Sequence, residues 1–214
     1  LRSRPAVRVI LLAQTRLKVN FGSMLKAAES FPTPLKGAPV WPLSVAAYRA
    51  LGEAGLIPKD TELLYGFVYR KISKSSFHSY LVQLLHEWLL KVLSPGRLVR
   101  VEQPLTCVDS EPEPDLAVVA GRNEDYRLEH PATAELVIEV CVSSHEYDRS
   151  KLRAYATAGV KECWLVLAPE KRVEVYREPA EGLFTNQQVY GVGDRLACVS
   201  VEGFSCDLKA LFAG

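Results

Sequence analysis

Residues 135–151 read ELVIEVCVSSHEYDRSK. From Leu136 to Val142 the run is apolar, as a strand covered on both faces requires, except for Glu139 in its middle. An ionised carboxylate at that depth is costly unless another group pairs with it. Glu135 can meet water at the strand entrance, whereas Glu139 lies too far in. Downstream, Asp148 is a predicted N-cap for the helix RSKLRAYATAG, which Gly159 ends. ECWLVLA then reads as a further strand, and RVEVYRE pairs with it through a turn at Pro169–Lys171.

Upstream, apolar residues recur at helical spacing between about 75 and 93: Phe77, Leu81, Leu84, Leu85, Trp88, Leu89 and Val92. Serines at the start suit a cap, and Pro95-Gly96 stops the run. RLVRVEQPLTCV and DLAVVAG follow as strand-like segments. The central order is therefore helix, three strands, helix, strand, which predicts a mixed α/β sheet covered by its helices. Nearer the start, the proline-rich stretch 32–43 reads as an extended entry, and Ser44 caps a short helix, VAAYRALGEAG. ELLYGFVYRKI, broken by Gly66, reads as a small hairpin. The tail holds short strands and a final DLKALF turn.

With 214 residues, 48% hydrophobic and 24% charged, the chain can build one sizeable core. No run approaches the roughly 18–20 apolar residues of a membrane helix, so no membrane partner is expected. The five cysteines form no C-x-x-C pair and read as buried small hydrophobes of a reducing, cytoplasmic compartment. Residues 1–23 carry five basic residues and no acidic one, and their apolar run VILLA is too short for a signal peptide. They are expected to be a leader, tag or upstream extension, with 24–214 a single domain. Without those five, 21 basic residues face 25 acidic ones, a net charge of −4. Charge alone thus argues against a strongly basic nucleic-acid binder.

Asp115 opens the strand after EPEP, where Pro112 and Pro114 stiffen the approach. If this strand neighbours that of Glu139, the two carboxylates converge and repel unless a proton or cation lies between them. A hard divalent cation such as Mg²⁺, or Mn²⁺ in its place, accepts that arrangement. With Asp148 as cap, Lys151 falls at the third helical position, from which its ammonium can return to the carboxylates and hold or activate a water. Asp, Glu and Lys on two strands and a helix start suit metal-assisted phosphodiester hydrolysis.

PEPDLAVV, ELVIEVCVSS and YDRSKLRAYATAGVKECWLV strongly resemble the Uma-type endonucleases, a bacterial branch of the P-D…(D/E)-x-K restriction-endonuclease-like superfamily. Weaker matches at SVAAYRAL, ELLYGFVY and FSCDLKALF extend the resemblance over about 44–212. It implies the αβββαβ core, flanked here by an N-terminal helix and hairpin. It also implies a DNA substrate, with Asp115 and Glu139 as metal ligands and the Val140 carbonyl as a third. The general pattern places its lysine two residues after the second acid, where this chain has Cys141. The Uma-type branch carries it on the following helix, which points to Lys151. Glu62 and His78 match an acid and a histidine that the branch places near the site.

Other readings stand beside these. Glu139 could form a structural ion pair with Arg149, Lys151 or Arg153, and Glu62 could be a hairpin-edge charge. His86, eight residues from His78, is expected to be structural, as are Trp164 and Tyr155 in the core. Gln103 is a candidate to face the cleft. Arg70, Lys71 and Lys74 read as a solvated face rather than a phosphate contact. A non-catalytic DNA- or protein-binding module on the same fold is the alternative function. A homodimer is possible, since duplex cleavage needs two sites.

Overall fold

In the computed structural model, which describes residues 40–143 and 145–213, the run around Glu139 is an interior strand of a six-stranded sheet. Helix α1 (Val45–Glu53) precedes the β1 (Thr61–Leu64) and β2 (Phe67–Arg70) hairpin. Helix α2 (Ser76–Leu90) leads into β3 (Arg97–Val101), β4 (Leu116–Ala120) and β5 (Leu136–Cys141). Helix α3 (His145–Thr157) crosses to β6 (Glu162–Leu167), followed by β7 (Arg172–Ala180) and β8 (Leu183–Gly191). A second small pair, β9 (Arg195–Ala197) with β10 (Ser205–Asp207), and helix α4 (Leu208–Leu211) close the chain. The sheet order is β3-β4-β5-β6-β7-β8, antiparallel throughout except for the parallel β5–β6 pair that α3 connects. This is the expected mixed α/β architecture. The boundary expected at residue 23 lies outside the described residues, as does the entry segment up to residue 39.

Strand periodicity divides β5 between two cores. Leu136, Ile138 and Val140 pack with Leu81, Leu85 and Leu89 of α2 on one face. Val137 and Cys141 pack with Ala154 and Tyr155 of α3 on the other. Glu139 shares the parity of the second set and so faces α3. All five cysteines are free and buried, as expected.

Two expectations are corrected. Helix α3 begins at His145, so Asp148 is its fourth residue rather than its cap, and Lys151 stands in the second turn. The Asp148 carboxylate faces Lys151 one turn on, 3.6 Å from its Nζ. RLVRVEQPLTCV is not one strand: β3 ends at Val101, and Glu102 takes a left-handed φ of 52° ahead of Pro104, which has no N–H to give the ladder. The chain then turns back on itself, with Leu105 N–H donating to Pro112 O and Cys107 N–H to Ser110 O, both at 2.9 Å.

The β1–β2 hairpin is fixed by a two-residue turn in which Tyr65 (φ 55°) and Gly66 (φ 80°) are both left-handed. The Tyr65 hydroxyl donates to the Ser150 carbonyl and accepts from Ala154 N–H at 3.1 Å, pinning the hairpin to α3. A Cβ on Gly66 would meet the Pro42 Cβ at 2.3 Å. Gly66→Ala is therefore expected to destabilise the protein by more than about 1 kcal/mol, from backbone conformation and overlap together. Urea unfolding of the variant checks this.

Candidate active site

Antiparallel register brings the first two carboxylates together. Leu116 pairs with Ile138, so Asp115, one residue before β4, stands opposite Glu139. The Asp115 N–H donates to Glu139 Oε2 at 3.3 Å, and the Val140 N–H donates to Asp115 Oδ2 at 2.7 Å. From α3, Lys151 Nζ lies 3.3 Å from Glu139 Oε1 and 3.3 Å from Glu62 Oε1 on β1. Tyr155 donates to Glu139 Oε1 at 2.5 Å, and Tyr147 donates to Glu62 Oε1 at 2.7 Å. The Glu113 N–H donates to Glu62 Oε2 at 3.1 Å. Asp115, Glu139, Lys151 and Glu62 are all at most 5% exposed.

On the open side of Asp115, Lys74 Nζ is 2.8 Å from Asp115 Oδ1 and 2.8 Å from Glu102 Oε1. His78 Nε2 is 3.0 Å from Asp115 Oδ2, while its buried Nδ1 has no partner among the described residues. One ligand atom each from His78, Glu102 and Asp115 fall within 4.8 Å of one another. These groups line a cleft of about 610 Å³, where seven carboxylates face four ammonium groups.

Burial and this charge imbalance set the protonation. Burial pushes Glu139 up to about 8, with Asp115 and Asp148 adding to the effect against Lys151 and Tyr155. Burial alone would also raise Asp115, but the His78 hydrogen bond and the Lys74 charge outweigh it and hold the carboxyl below its ordinary value. For Lys151, burial is outweighed by Glu139, Glu62 and Asp148, so its ammonium is held well above the usual range. Glu139 thus holds a proton most readily, and Lys151 stays charged because two carboxylates still face it when Glu139 is neutral.

Of the sequence candidates, Asp115, Glu139, Val140, Lys151, Glu62 and His78 all line the cleft. Gln103 is exposed and does not. Arg149 pairs instead with Glu174 at 2.7 Å, and Arg153 lies over the Tyr65 ring, leaving Lys151 as the cation beside Glu139. The solvated-face expectation fails for Lys74, which enters the cleft, and for Lys71, which pairs with Glu113 at 2.6 Å. Arg70 fits it, largely exposed and 3.7 Å from Asp60. Tyr155 is core, as expected, yet its hydroxyl serves Glu139. Glu102 lies in no motif, and Tyr147 and Asp148 open the quoted YDRSKLRAYATAGVKECWLV without being candidates for the site; the φ reversal after β3 and a helix that starts four residues early bring them to the cleft.

The family model "Uma2: Putative restriction endonuclease" matches residues 57–209. No curated protein matches the chain. Among solved structures, the chain is similar to "a putative nuclease belonging to DUF820 from Anabaena variabilis ATCC 29413", at 21% identity and a TM-score of 0.65. That likeness covers 76% of this chain and 97% of the other, and it concerns the fold.

Proposed function

The chain belongs to the Uma2 restriction endonuclease family, and we propose that its cleft is a divalent-cation-dependent nuclease site acting on DNA phosphodiester bonds. The observation that carries this reading is the paired Asp115 and Glu139 with Lys151 Nζ 3.3 Å from Glu139. The donor set suits Mg²⁺ or Mn²⁺, being mostly carboxylate oxygen with one imidazole. Lys74, bridging Asp115 and Glu102 at 2.8 Å each, marks a place where a cation is already favoured.

Asp115 and Glu139 would hold the ion, with the Val140 carbonyl as a further oxygen ligand and Glu102 and His78 beside Asp115. When bound, it supplies Lewis-acid stabilisation of charge on the scissile phosphate. Lys151 keeps its proton at neutral pH, so it acts by donating hydrogen bonds that orient a water and its developing negative charge. Glu62 and Asp148 keep that ammonium in place, and Tyr147 and Tyr155 fix the carboxylates. Glu62 is thus a positioning residue acting through Lys151.

Purified protein is expected to cut DNA in Mg²⁺ or Mn²⁺ and to lose all cutting in EDTA, with recovery when the ion is restored. Binding without cutting under every divalent ion would favour a non-catalytic module.

A further inference from the structure

Residues 67–80, FVYRKISKSSFHSY, run from β2 into the second turn of α2, and residues 71–75 and 78 among them form one wall of the cleft. Phe67, Tyr69, Ile72, Phe77 and Tyr80 are 36–52% exposed, with Arg70, Lys71 and Lys74 among them. Phe77 and Tyr80, three residues apart on α2, stack with centroids 6.5 Å apart and planes at 14°. Ser75 and His78, which interleave with that pair, line the cleft. On the hairpin, Tyr69 is the cross-strand partner of Glu62 and shares its face. Its ring meets that of Tyr147, a cleft residue, at 6.0 Å. Exposed aromatic rings thus lie on both elements that carry the cleft's outer residues, next in sequence to cleft-lining His78 at Phe77 and against cleft-lining Tyr147 at Tyr69.

We propose that this wall binds an unpaired nucleic-acid strand, with bases stacked on Phe77–Tyr80 and Tyr69. The cleft's substrate class is then single-stranded or locally unpaired DNA. The strand-binding part stands on the wall alone; the cutting part rests on the nuclease reading. Every base has a π-face that an aromatic ring can cover, and a duplex hides those faces. Duplex binding depends more steeply on free cations than single-strand binding does. Here Lys71 and Lys74 are held by Glu113, Asp115 and Glu102, and carboxylates outnumber ammonium groups in the cleft. Backbone attraction is weak at this site, and stacking is what the wall offers.

The test is fluorescence anisotropy of a labelled oligonucleotide, as single strand, as blunt duplex of the same sequence and as an abasic strand. It is run in Ca²⁺ to separate binding from cutting. The single strand is expected to bind about tenfold or more tighter than the duplex or the abasic strand. Phe77→Ala with Tyr80→Ala should remove that preference at unchanged circular dichroism and melting temperature, while Phe77→Tyr should keep it. Equal affinity for strand and duplex, or full affinity in the folded double variant, overturns the proposal. So does a double variant that only converts a dimer to a monomer in light scattering, which would make the wall a contact between copies. Strand binding without cleavage in Mg²⁺ would sink the nuclease reading and leave this one standing. Equal cleavage of strand and duplex that ignores the aromatic pair would do the reverse.

Discussion

Lys151→Met is expected to destabilise the protein by about 3–5 kcal/mol near neutral pH, because it leaves buried carboxylates without their shared cation. Glu62, Glu139 and Asp148 all lie within 3.6 Å of Lys151 Nζ, and Lys151 is 4% exposed, so water cannot replace it cheaply. The methionine keeps the length and apolar stem, which separates the charge from the packing. The pH dependence identifies the cause. Lys151 is raised above its ordinary 10.5, so its contribution is fully present at neutral pH and is lost only as pH rises beyond that value. Glu139 is raised from 4.5 to about 8, so the folded state holds a proton that the unfolded chain has released, and stability falls as pH rises through that window. In the variant, the neighbouring carboxylates rise further. The stability gap between wild type and variant should therefore shrink as pH falls towards about 5 and widen towards 8. Urea unfolding across that range measures it. A gap independent of pH would mean that Lys151 contributes only packing.

Asp115→Asn is expected to lower cleavage on the order of 10³-fold and to abolish stabilisation by Mg²⁺. In the wild type, an ion at 100 times its dissociation constant adds about 2.7 kcal/mol of stability by mass action. The variant keeps an oxygen for the Val140 N–H, and Lys74 keeps Glu102, so the fold is expected to survive. Its apo stability should drop by about 1–3 kcal/mol at neutral pH, from the lost charge beside His78 and Lys74. Asp115 is held below its ordinary value, so that loss is present above about pH 4 and disappears as the wild-type carboxyl is itself protonated at lower pH. Thermal melts with and without Mg²⁺, beside the cleavage assay, give both numbers. A variant still stabilised by Mg²⁺ would move the ion away from Asp115.

The elements and their order follow from local patterns in the chain. The apolar run with one carboxylate, the helical spacing of Leu81, Leu85 and Leu89, the caps at Ser44 and Ser75, and Gly66 act through neighbours in the chain. Backbone conformation and strand or helix periodicity respond to such neighbours within a few residues. Asp115 opposite Glu139 is legible because Asp115 opens one strand and Glu139 lies inside the next, and the apolar pattern enforces the register between them. Which charges meet is set by long-range packing. Lys74 reaches Asp115 across 41 residues, and Tyr147 reaches Glu62 across 85. Nothing local distinguishes Lys74, which enters the cleft, from Arg70, which stays at the surface. Local propensity also failed at Asp148: it is a good cap by composition, yet its carboxylate faces Lys151 within the helix. A buried ammonium must be matched by whichever carboxylates packing delivers to it, and packing is set by the whole fold.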